Sequence, residues 1–211
     1  MRPNETSMKN VFLSLSRLLS YPDDQLAGQL EIIAQLLESE KEEIRNNFES
    51  FRLFSDSGTV LELQQHYVET FDQKRSSCLY LSFFLNGDTR QRGMALWRFA
   101  NVYRESGFEL DSGELPDFLP ALLDFTATVD FQSGLKLLQT HQRALLVLEK
   151  SLEKQESPYH FLLSALIGVL PTLSEKEMNE AEALINAGPP KEMVGLEGYG
   201  GPVSVTIGVR P

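Results

Sequence analysis

Residues 135–152 read LKLLQTHQRALLVLEKSL, and the spacing of the leucines in this stretch decides the fold class. Leucine recurs every three or four residues, which places five leucines on one face of a continuous α-helix: Leu135, Leu138, Leu145, Leu148 and Leu152. The same period continues towards the N-terminus, where Leu63, Tyr67 and Phe71 share one face. The sequence therefore predicts an all-α fold, a single-domain multi-helix bundle.

Capping signals and composition agree with this prediction. Three pairs of residues have the spacing of a capping box, in which each side chain accepts a hydrogen bond from a free backbone N–H of the first turn: Ser39 with Glu42, Thr59 with Glu62, and Ser174 with Glu177. Leucine occurs 34 times, against 17 for valine and isoleucine together. This ratio favours helix, because β-branched side chains lose rotamer freedom there. Ser157-Pro158 is a further helix start, and Gly107 a helix end.

The last residues differ from the rest of the chain. We assign residues 1–190 to one helical domain and residues 191–211 to a tail rich in Gly and Pro. In the tail, Val203, Val205, Ile207 and Val209 alternate with small or polar residues, as in a strand. A single strand has no evident pairing partner in a helical domain. Two interpretations stay open: a mobile tail, or a segment that docks onto a partner or a second copy.

Net charge excludes several classes of partner. The formal charge is −11, from 19 basic and 30 acidic residues. Such a chain repels nucleic acid and anionic membranes, and favours a basic partner. The most apolar run, residues 161–170, is too short to insert across a membrane. Cys78 is the single cysteine and cannot form an internal disulfide, and the polar N-terminus does not resemble a signal peptide. We therefore expect a cytoplasmic protein.

No pattern of residues indicates an enzyme. The chain contains neither GxxxxGK[ST] nor GxGxxG, so a nucleotide site of these types is not expected. His66, His141 and His160 lack the spacing of metal ligands, and we expect them to be surface or hydrogen-bonded histidines. Cys78 lies in an apolar run without a nearby base. We predict no catalytic residue, no metal and no cofactor.

Three segments in the middle of the chain are not explained by helix propensity. They are YVETFD (67–72) with CLYL (78–81), GDTRQRG (87–93) and ELPDFLP (114–120). Together they resemble the NarJ-type nitrate reductase assembly chaperones, whose members carry YVxxFD, GDxRxRG and ELPDxLP in this order. Ser157-Pro158-Tyr159 fits a later segment of that family. The resemblance covers about residues 60–160.

The resemblance implies an all-helical chaperone without catalytic activity. Its partner would be the apo catalytic subunit of a molybdoenzyme, nitrate reductase, bound at the subunit's N-terminal segment while the molybdenum cofactor is inserted. Its own oligomeric state would be a monomer or a weak homodimer. The alternative is a helical adaptor that stays in a respiratory oxidoreductase complex as a stoichiometric subunit. A helical metalloenzyme is disfavoured by the histidine spacing.

An N-terminal leader is basic at one end and apolar after it, so its binding needs an apolar groove with carboxylates at one rim. For the groove we predict Tyr67, Phe71, Leu79, Leu119 and Leu122, and for the rim Glu69, Asp72, Glu114 and Asp117. The remaining motif residues that the resemblance indicates are Gly87, Asp88, Arg90, Arg92, Gly93, Pro116 and Pro120.

Each of these residues also has a structural interpretation. Tyr67, Phe71 and Leu79 have the spacing of core residues. Asp72 could cap a helix beginning near Gln73 or pair with Arg75, and Asp88 could cap the helix after it. Arg90 and Arg92 could form internal ion pairs, while Pro116 and Pro120 could shape a turn and a helix entry.

Overall fold

The computed structural model describes residues 4–86, 90–110 and 113–187. The regular secondary structure of these residues is helical. Eleven α-helices lie in them: α1 (Glu5–Leu18), α2 (Leu26–Leu36), α3 (Glu42–Asp56), α4 (Val60–Tyr67), α5 (Leu81–Asn86), α6 (Arg90–Glu105), α7 (Leu119–Thr128), α8 (Phe131–Thr140), α9 (Gln142–Lys154), α10 (Tyr159–Val169) and α11 (Glu175–Ala187). A π-helical turn (Val68–Asp72) and a 3-10 turn (Arg75–Ser77) join α4 to α5. The all-α prediction is confirmed. Residues 191–211, for which the sequence leaves a mobile and a docking interpretation, lie outside the described residues.

Helix α1 lies at the centre of the bundle because one of its faces is entirely apolar. Val11, Phe12 and Leu15 on that face are fully buried. The helix packs against α7 and α10, and α10 in turn packs against α3 and α9. Each fully buried side chain of this size stabilises the fold by about 1.5–3 kcal/mol. A buried hydrogen bond from Ser16 Oγ to the carbonyl oxygen of Pro120, 2.9 Å long, fixes the start of α7 on α1.

Two of the three predicted capping boxes are present. Thr59 Oγ1 accepts from the N–H of Glu62 (3.3 Å), and Glu62 Oε2 accepts from the N–H of Thr59 (2.7 Å). Ser174 and Glu177 exchange the equivalent bonds. The box predicted for Ser39 and Glu42 is wrong, because Lys41 is extended (φ −57°, ψ 145°) and α3 begins at Glu42 without a side-chain cap. Glu42 is thus the first helical residue and cannot reach back to Ser39.

The leucine-rich stretch is not one helix. His141 has φ −104° and ψ 13°, and this bend separates α8 from α9. Its Nδ1 lies 2.9 Å from the carbonyl oxygen of Leu137, one turn earlier. The bend lets α8 pack on α7 while α9 packs on α10 and α11, which a straight helix could not do. Helix α6 ends at Glu105, two residues before the predicted Gly107, whose φ of +70° suits glycine after a helix end.

Candidate functional site

An aromatic pocket with a volume of about 370 Å³ opens where the YVETFD and CLYL stretches meet the ELPDFLP segment before α7. We call it the aromatic pocket and define it by its lining residues: Ser20, Tyr21, Tyr67, Phe71, Asp72, Leu79, Tyr80, Glu114 and Phe118. Five of the nine residues predicted for the groove and its rim are among them. The lining is five aromatic rings, one leucine, one serine and two carboxyl groups.

One wall of the pocket comes from the π-helical turn that follows α4. The N–H of Gln73 bonds to the carbonyl oxygen of Val68, five residues earlier, at 3.0 Å. A π turn holds one more residue than an α turn, and such turns occur frequently at functional sites. The wider turn rotates the residues after it, so that Asp72 lines the same cavity as Tyr67 and Phe71. In an uninterrupted α-helix, Asp72 would point away from Tyr67 because five residues exceed one turn.

The opposite wall is a short antiparallel contact between the CLYL and ELPD segments. Tyr80 and Phe118 form an isolated β-bridge, and the N–H of Leu119 donates to the carbonyl oxygen of Leu79 at 2.9 Å. The rings of Tyr80 and Phe118 lie 5.6 Å apart. The N–H of Leu81 donates to the carbonyl oxygen of Asp117 at 3.1 Å. This contact places Tyr80 beside Phe118 in the pocket.

Asp117 holds the two segments together from inside the protein. Its carboxyl group is fully buried, and its Oδ2 accepts hydrogen bonds from the backbone N–H of Ser82 (2.9 Å) and from Ser82 Oγ (2.6 Å). Ser82 is the second residue of α5, so the Asp117 carboxyl group satisfies a free N–H at the start of this helix. The structure therefore places Asp117 behind the pocket wall rather than at the rim.

The carboxyl groups of Asp72 and Glu114 give the pocket its negative charge. Glu114 Oε2 accepts a 2.6 Å hydrogen bond from the hydroxyl of Tyr80. Burial raises the pKa of the Asp72 carboxyl above its usual range, and the neighbouring Glu114 raises it further. The pKa of Tyr80 is also raised, first by burial and then by the hydrogen bond to Glu114. A carboxyl group such as Asp72, whose ionisation is disfavoured by burial and by a neighbouring carboxyl group, is stabilised in its charged form by a cation beside it.

The floor of the pocket is an aromatic cluster. Tyr67 donates from its hydroxyl to the carbonyl oxygen of Leu19 (3.2 Å), and its ring meets the edge of Tyr21 at 5.5 Å. Phe71 lies 4.8 Å from Tyr67 and 4.7 Å from Tyr159, measured between ring centroids. Burial raises the pKa of Tyr67, so its hydroxyl stays neutral. Tyr67 and Phe71 are thus both core residues and pocket-lining residues. The core interpretation and the groove interpretation that the sequence leaves open therefore both apply to them.

The other predicted groove and rim residues lie elsewhere. Leu119 and Leu122 are fully buried in the core, and Glu69 is exposed on the π-helical turn but does not line the pocket. Asp72 closes the π-helical turn instead of capping a helix at Gln73, since a 3-10 turn follows at Arg75.

The remaining described motif residues lie in or next to α6 and α7, outside the pocket. Arg92 Nε lies 3.4 Å from Ser82 Oγ, and its guanidinium lies 5.7 Å from the ring centroid of Phe83. Arg90 and Gly93 are exposed on the first turn of α6. Pro116 is half-buried in the loop before α7, and Pro120 is buried in its first turn. Gly87 and Asp88 lie outside the described residues.

Sequence reasoning missed four lining residues: Ser20, Tyr21, Tyr80 and Phe118. Tyr80 directly follows the predicted residue Leu79 in CLYL, and Phe118 lies between the predicted residues Asp117 and Leu119 in ELPDFLP. The clustering of aromatic residues there was the available signal. Ser20 and Tyr21 follow α1, and nothing in their local sequence indicates that they meet residues about fifty positions later.

Metal-ligating side chains do not cluster in the part of the chain that the structure describes. No group of three or more His, Cys, Asp or Glu side chains there could hold a metal ion. All three histidines are hydrogen-bonded: His66 to Ser157 Oγ, His141 to the Leu137 carbonyl oxygen and His160 to the Ser157 carbonyl oxygen. No helix in these residues has the length and apolar character needed to cross a membrane.

The pocket suits a side chain that is both apolar and cationic. Aromatic ring faces attract cations, and carboxylates accept hydrogen bonds from guanidinium or ammonium groups. The exposed ring of Tyr21, with 53% of its surface accessible, extends the apolar surface beyond the mouth. The arrangement therefore fits a basic residue followed by apolar residues.

Comparisons with known proteins identify related chains. A family model described as "Nitrate reductase delta subunit" matches residues 41–163. The Bacillus subtilis (strain 168) protein named "Probable nitrate reductase molybdenum cofactor assembly chaperone NarJ" is 33% identical over 178 residues, which cover 84% of this chain and 97% of that protein. The Escherichia coli (strain K12) protein named "Nitrate reductase molybdenum cofactor assembly chaperone NarJ" is 28% identical over 166 residues, 77% of this chain and 70% of that protein.

A solved structure shares the fold. The crystal structure of an Archaeoglobus fulgidus protein assigned to redox enzyme maturation matches with a TM-score of 0.55. The match covers 80% of this chain and 94% of that chain at 22% sequence identity. At this identity the likeness concerns the fold alone.

Proposed function

The chain belongs to the nitrate reductase delta subunit family, and from this premise we propose that it is a molybdoenzyme assembly chaperone and not an enzyme. It binds the N-terminal segment of the apo catalytic subunit, that of nitrate reductase, in the cytoplasm. It holds this subunit while the molybdenum cofactor is inserted, and then leaves. The relatives named as assembly chaperones of nitrate reductase support this proposal.

The aromatic pocket is the observation that carries the proposal. Its two carboxyl groups, Asp72 and Glu114, receive the basic residue of the leader. Its rings and Leu79 receive the apolar residues that follow. Apolar burial contributes roughly 25 cal/mol per Å², whereas an exposed ion pair contributes about 0–1 kcal/mol. Most of the affinity thus comes from the apolar contact, and the carboxyl groups set orientation and association rate.

Calorimetric titration with synthetic N-terminal peptides of the host's molybdoenzyme catalytic subunits tests this proposal. We expect one peptide to bind at about micromolar strength with a negative heat-capacity change. The Asp72→Ala variant should bind this peptide about two- to fivefold more weakly, because one exposed ion pair is lost. The Glu114→Gln variant should weaken binding similarly while it keeps the hydrogen bond from Tyr80.

The matched control is Glu31→Ala, which removes an exposed carboxyl group from α2, away from the pocket. It should leave the affinity unchanged. Equal affinity of the wild-type chain and the Asp72→Ala and Glu114→Gln variants would remove these residues from the site. Absence of binding by every peptide would contradict recognition of the N-terminal segment.

A further inference from the structure

A large cavity of the described residues lies away from the aromatic pocket, between α6 and α11. It has a volume of about 1140 Å³, and residues of α8 and α9 form its floor. We call it the basic cleft and define it by the residues used below: Met94, Arg98, Val102, Lys136, Leu137 and Leu184. Helix α11 packs on α9, and α6 packs on α5, which leaves the cleft between them.

The charge of the cleft is opposite to that of the chain. Although acidic residues outnumber basic ones by 30 to 19, the described residues that line the cleft include Arg98, Lys136 and Arg143 and only one acidic residue, Glu180. Arg143 is ion-paired with Glu180. Arg98 and Lys136 are exposed, and neither forms an ion pair within the part of the chain that the structure describes. Two cations of the cleft are therefore available to a partner.

A buried histidine lies on the floor of the cleft, near two of its arginines. His141 lines the floor, and its ring packs against Phe99 at 4.7 Å between centroids. Burial is the largest cause of the lowered pKa of His141, and Arg143 and Arg98 lower it as well. Burial is thus the main reason that the imidazole stays neutral, and the two guanidinium groups contribute less.

The walls also offer apolar surface. Met94, Val102, Leu137 and Leu184 line the cleft. On α6, Met94 is 56% exposed, and Trp97, three residues later, is 58% exposed. Large apolar side chains that are exposed next to each other mark interaction sites more often than isolated ones do. The cleft thus combines an apolar interior with unpaired cations.

We propose that the basic cleft binds an acidic amphipathic segment of a partner protein. Its apolar residues lie against Met94, Val102 and Leu184, and its carboxylates pair with Arg98 and Lys136. The volume exceeds the range of about 300–1,000 Å³ usual for small-molecule pockets, and the shape between two helices suits a third one. Charge complementarity selects an acidic segment over a basic one. The aromatic pocket, with its carboxyl groups, selects the opposite sign, so the two sites discriminate between their occupants.

Trp97 provides the assay, because it is the only tryptophan of the chain, is exposed, and directly precedes the lining residue Arg98 on α6. The probe is a synthetic 18-residue helical peptide with leucines on one face and glutamates on both flanks. Its twin carries lysine at every glutamate position. We expect the acidic peptide to shift the emission of Trp97 to shorter wavelength in a saturable titration, and the basic twin to produce no shift.

A charge-reversal variant tests the residues. The double variant R98E/K136E should bind the acidic peptide at least about tenfold more weakly, because two attractive pairs become repulsive. The control R45E/K154E changes the net charge equally at two exposed positions outside the cleft and should change the affinity by less than about twofold. Both variants keep the core residues, and circular dichroism verifies their folding.

Three results would overturn the proposal. The first is equal binding of the acidic peptide and its basic twin. The second is an equal loss of affinity in both variants, which would indicate a general charge effect. The third is displacement of the acidic peptide by millimolar inorganic pyrophosphate at constant ionic strength, which would assign the cleft to a small anion instead. None of these results depends on the leader peptide, so they leave the test of the aromatic pocket unaffected.

Discussion

Replacing Asp117 tests whether this residue is structural, as its position behind the pocket indicates. The Asp117→Ala substitution removes the acceptor of two hydrogen bonds and leaves the backbone N–H and the hydroxyl proton of the fully buried Ser82 without an acceptor. Each buried donor that is left without an acceptor costs about 1–3 kcal/mol. The substitution also removes Asp117 Oδ1, a buried oxygen without a hydrogen-bond partner among the described residues, and this returns part of the cost. We therefore expect a loss of about 3–5 kcal/mol in the free energy of unfolding.

Urea unfolding followed by circular dichroism at 222 nm measures this loss. At an unchanged m-value, the transition midpoint should fall by the loss divided by m, which is about 1–3 kcal/mol per molar urea for small proteins. The Asp117→Asn variant keeps one acceptor oxygen and should lose about 1–2 kcal/mol. The exposed control Glu31→Ala should stay within about 0.5 kcal/mol of the wild type. A loss below about 1 kcal/mol for Asp117→Ala would refute the structural assignment.

Two further substitutions address a helix start and the pocket carboxyl group. Thr59→Ala should lower the free energy of unfolding by about 1 kcal/mol, because it removes the cap of α4. Ser39→Ala should leave the free energy of unfolding unchanged, since Ser39 caps no helix. Equal effects of the two substitutions in urea unfolding would contradict these assignments of the helix starts. Asp72→Asn should raise the thermal midpoint at pH 7. The folded pKa of Asp72 lies above the ordinary 3.8, so the folded state binds the proton more tightly and the wild type loses stability as pH rises through that range. At pH 3.5, below both pKa values, the midpoints of wild type and variant should coincide, and a difference that persists there would rule out the raised pKa as its cause.

Much of the fold follows from the sequence because helical periodicity is a local signal. The leucines of 135–152 identify the buried face of both α8 and α9, but the bend between them does not follow from this pattern. It arises where His141 contacts the Leu137 carbonyl oxygen and where two helices need different neighbours. The prediction of a capping box at Ser39 and Glu42 was wrong for a related reason. The spacing of two residues cannot show whether the chain between them is already helical.

The candidate site is predictable in part. Tyr67, Phe71 and Asp72 were found because they stand in one motif, but the π-helical turn that brings Asp72 to the pocket has no recognisable sequence signal. Asp117 shows the converse case. A carboxyl group in a motif suggests a role in ligand binding. Only the tertiary structure reveals that the Asp117 carboxyl group already accepts hydrogen bonds from Ser82. The distant Tyr21 reaches the pocket through packing of α1 and could not be inferred locally.

The most direct test of chaperone function is the state of the partner with which the chain purifies. The tagged chain is isolated from its host under native conditions, and the bound catalytic subunit is analysed for molybdenum by mass spectrometry. We expect the chain to recover a catalytic subunit without molybdenum, and the Asp72→Ala variant to recover less of it. Recovery of the chain in a one-to-one ratio with active, molybdenum-loaded enzyme would rule out the chaperone function and make the chain a stoichiometric subunit.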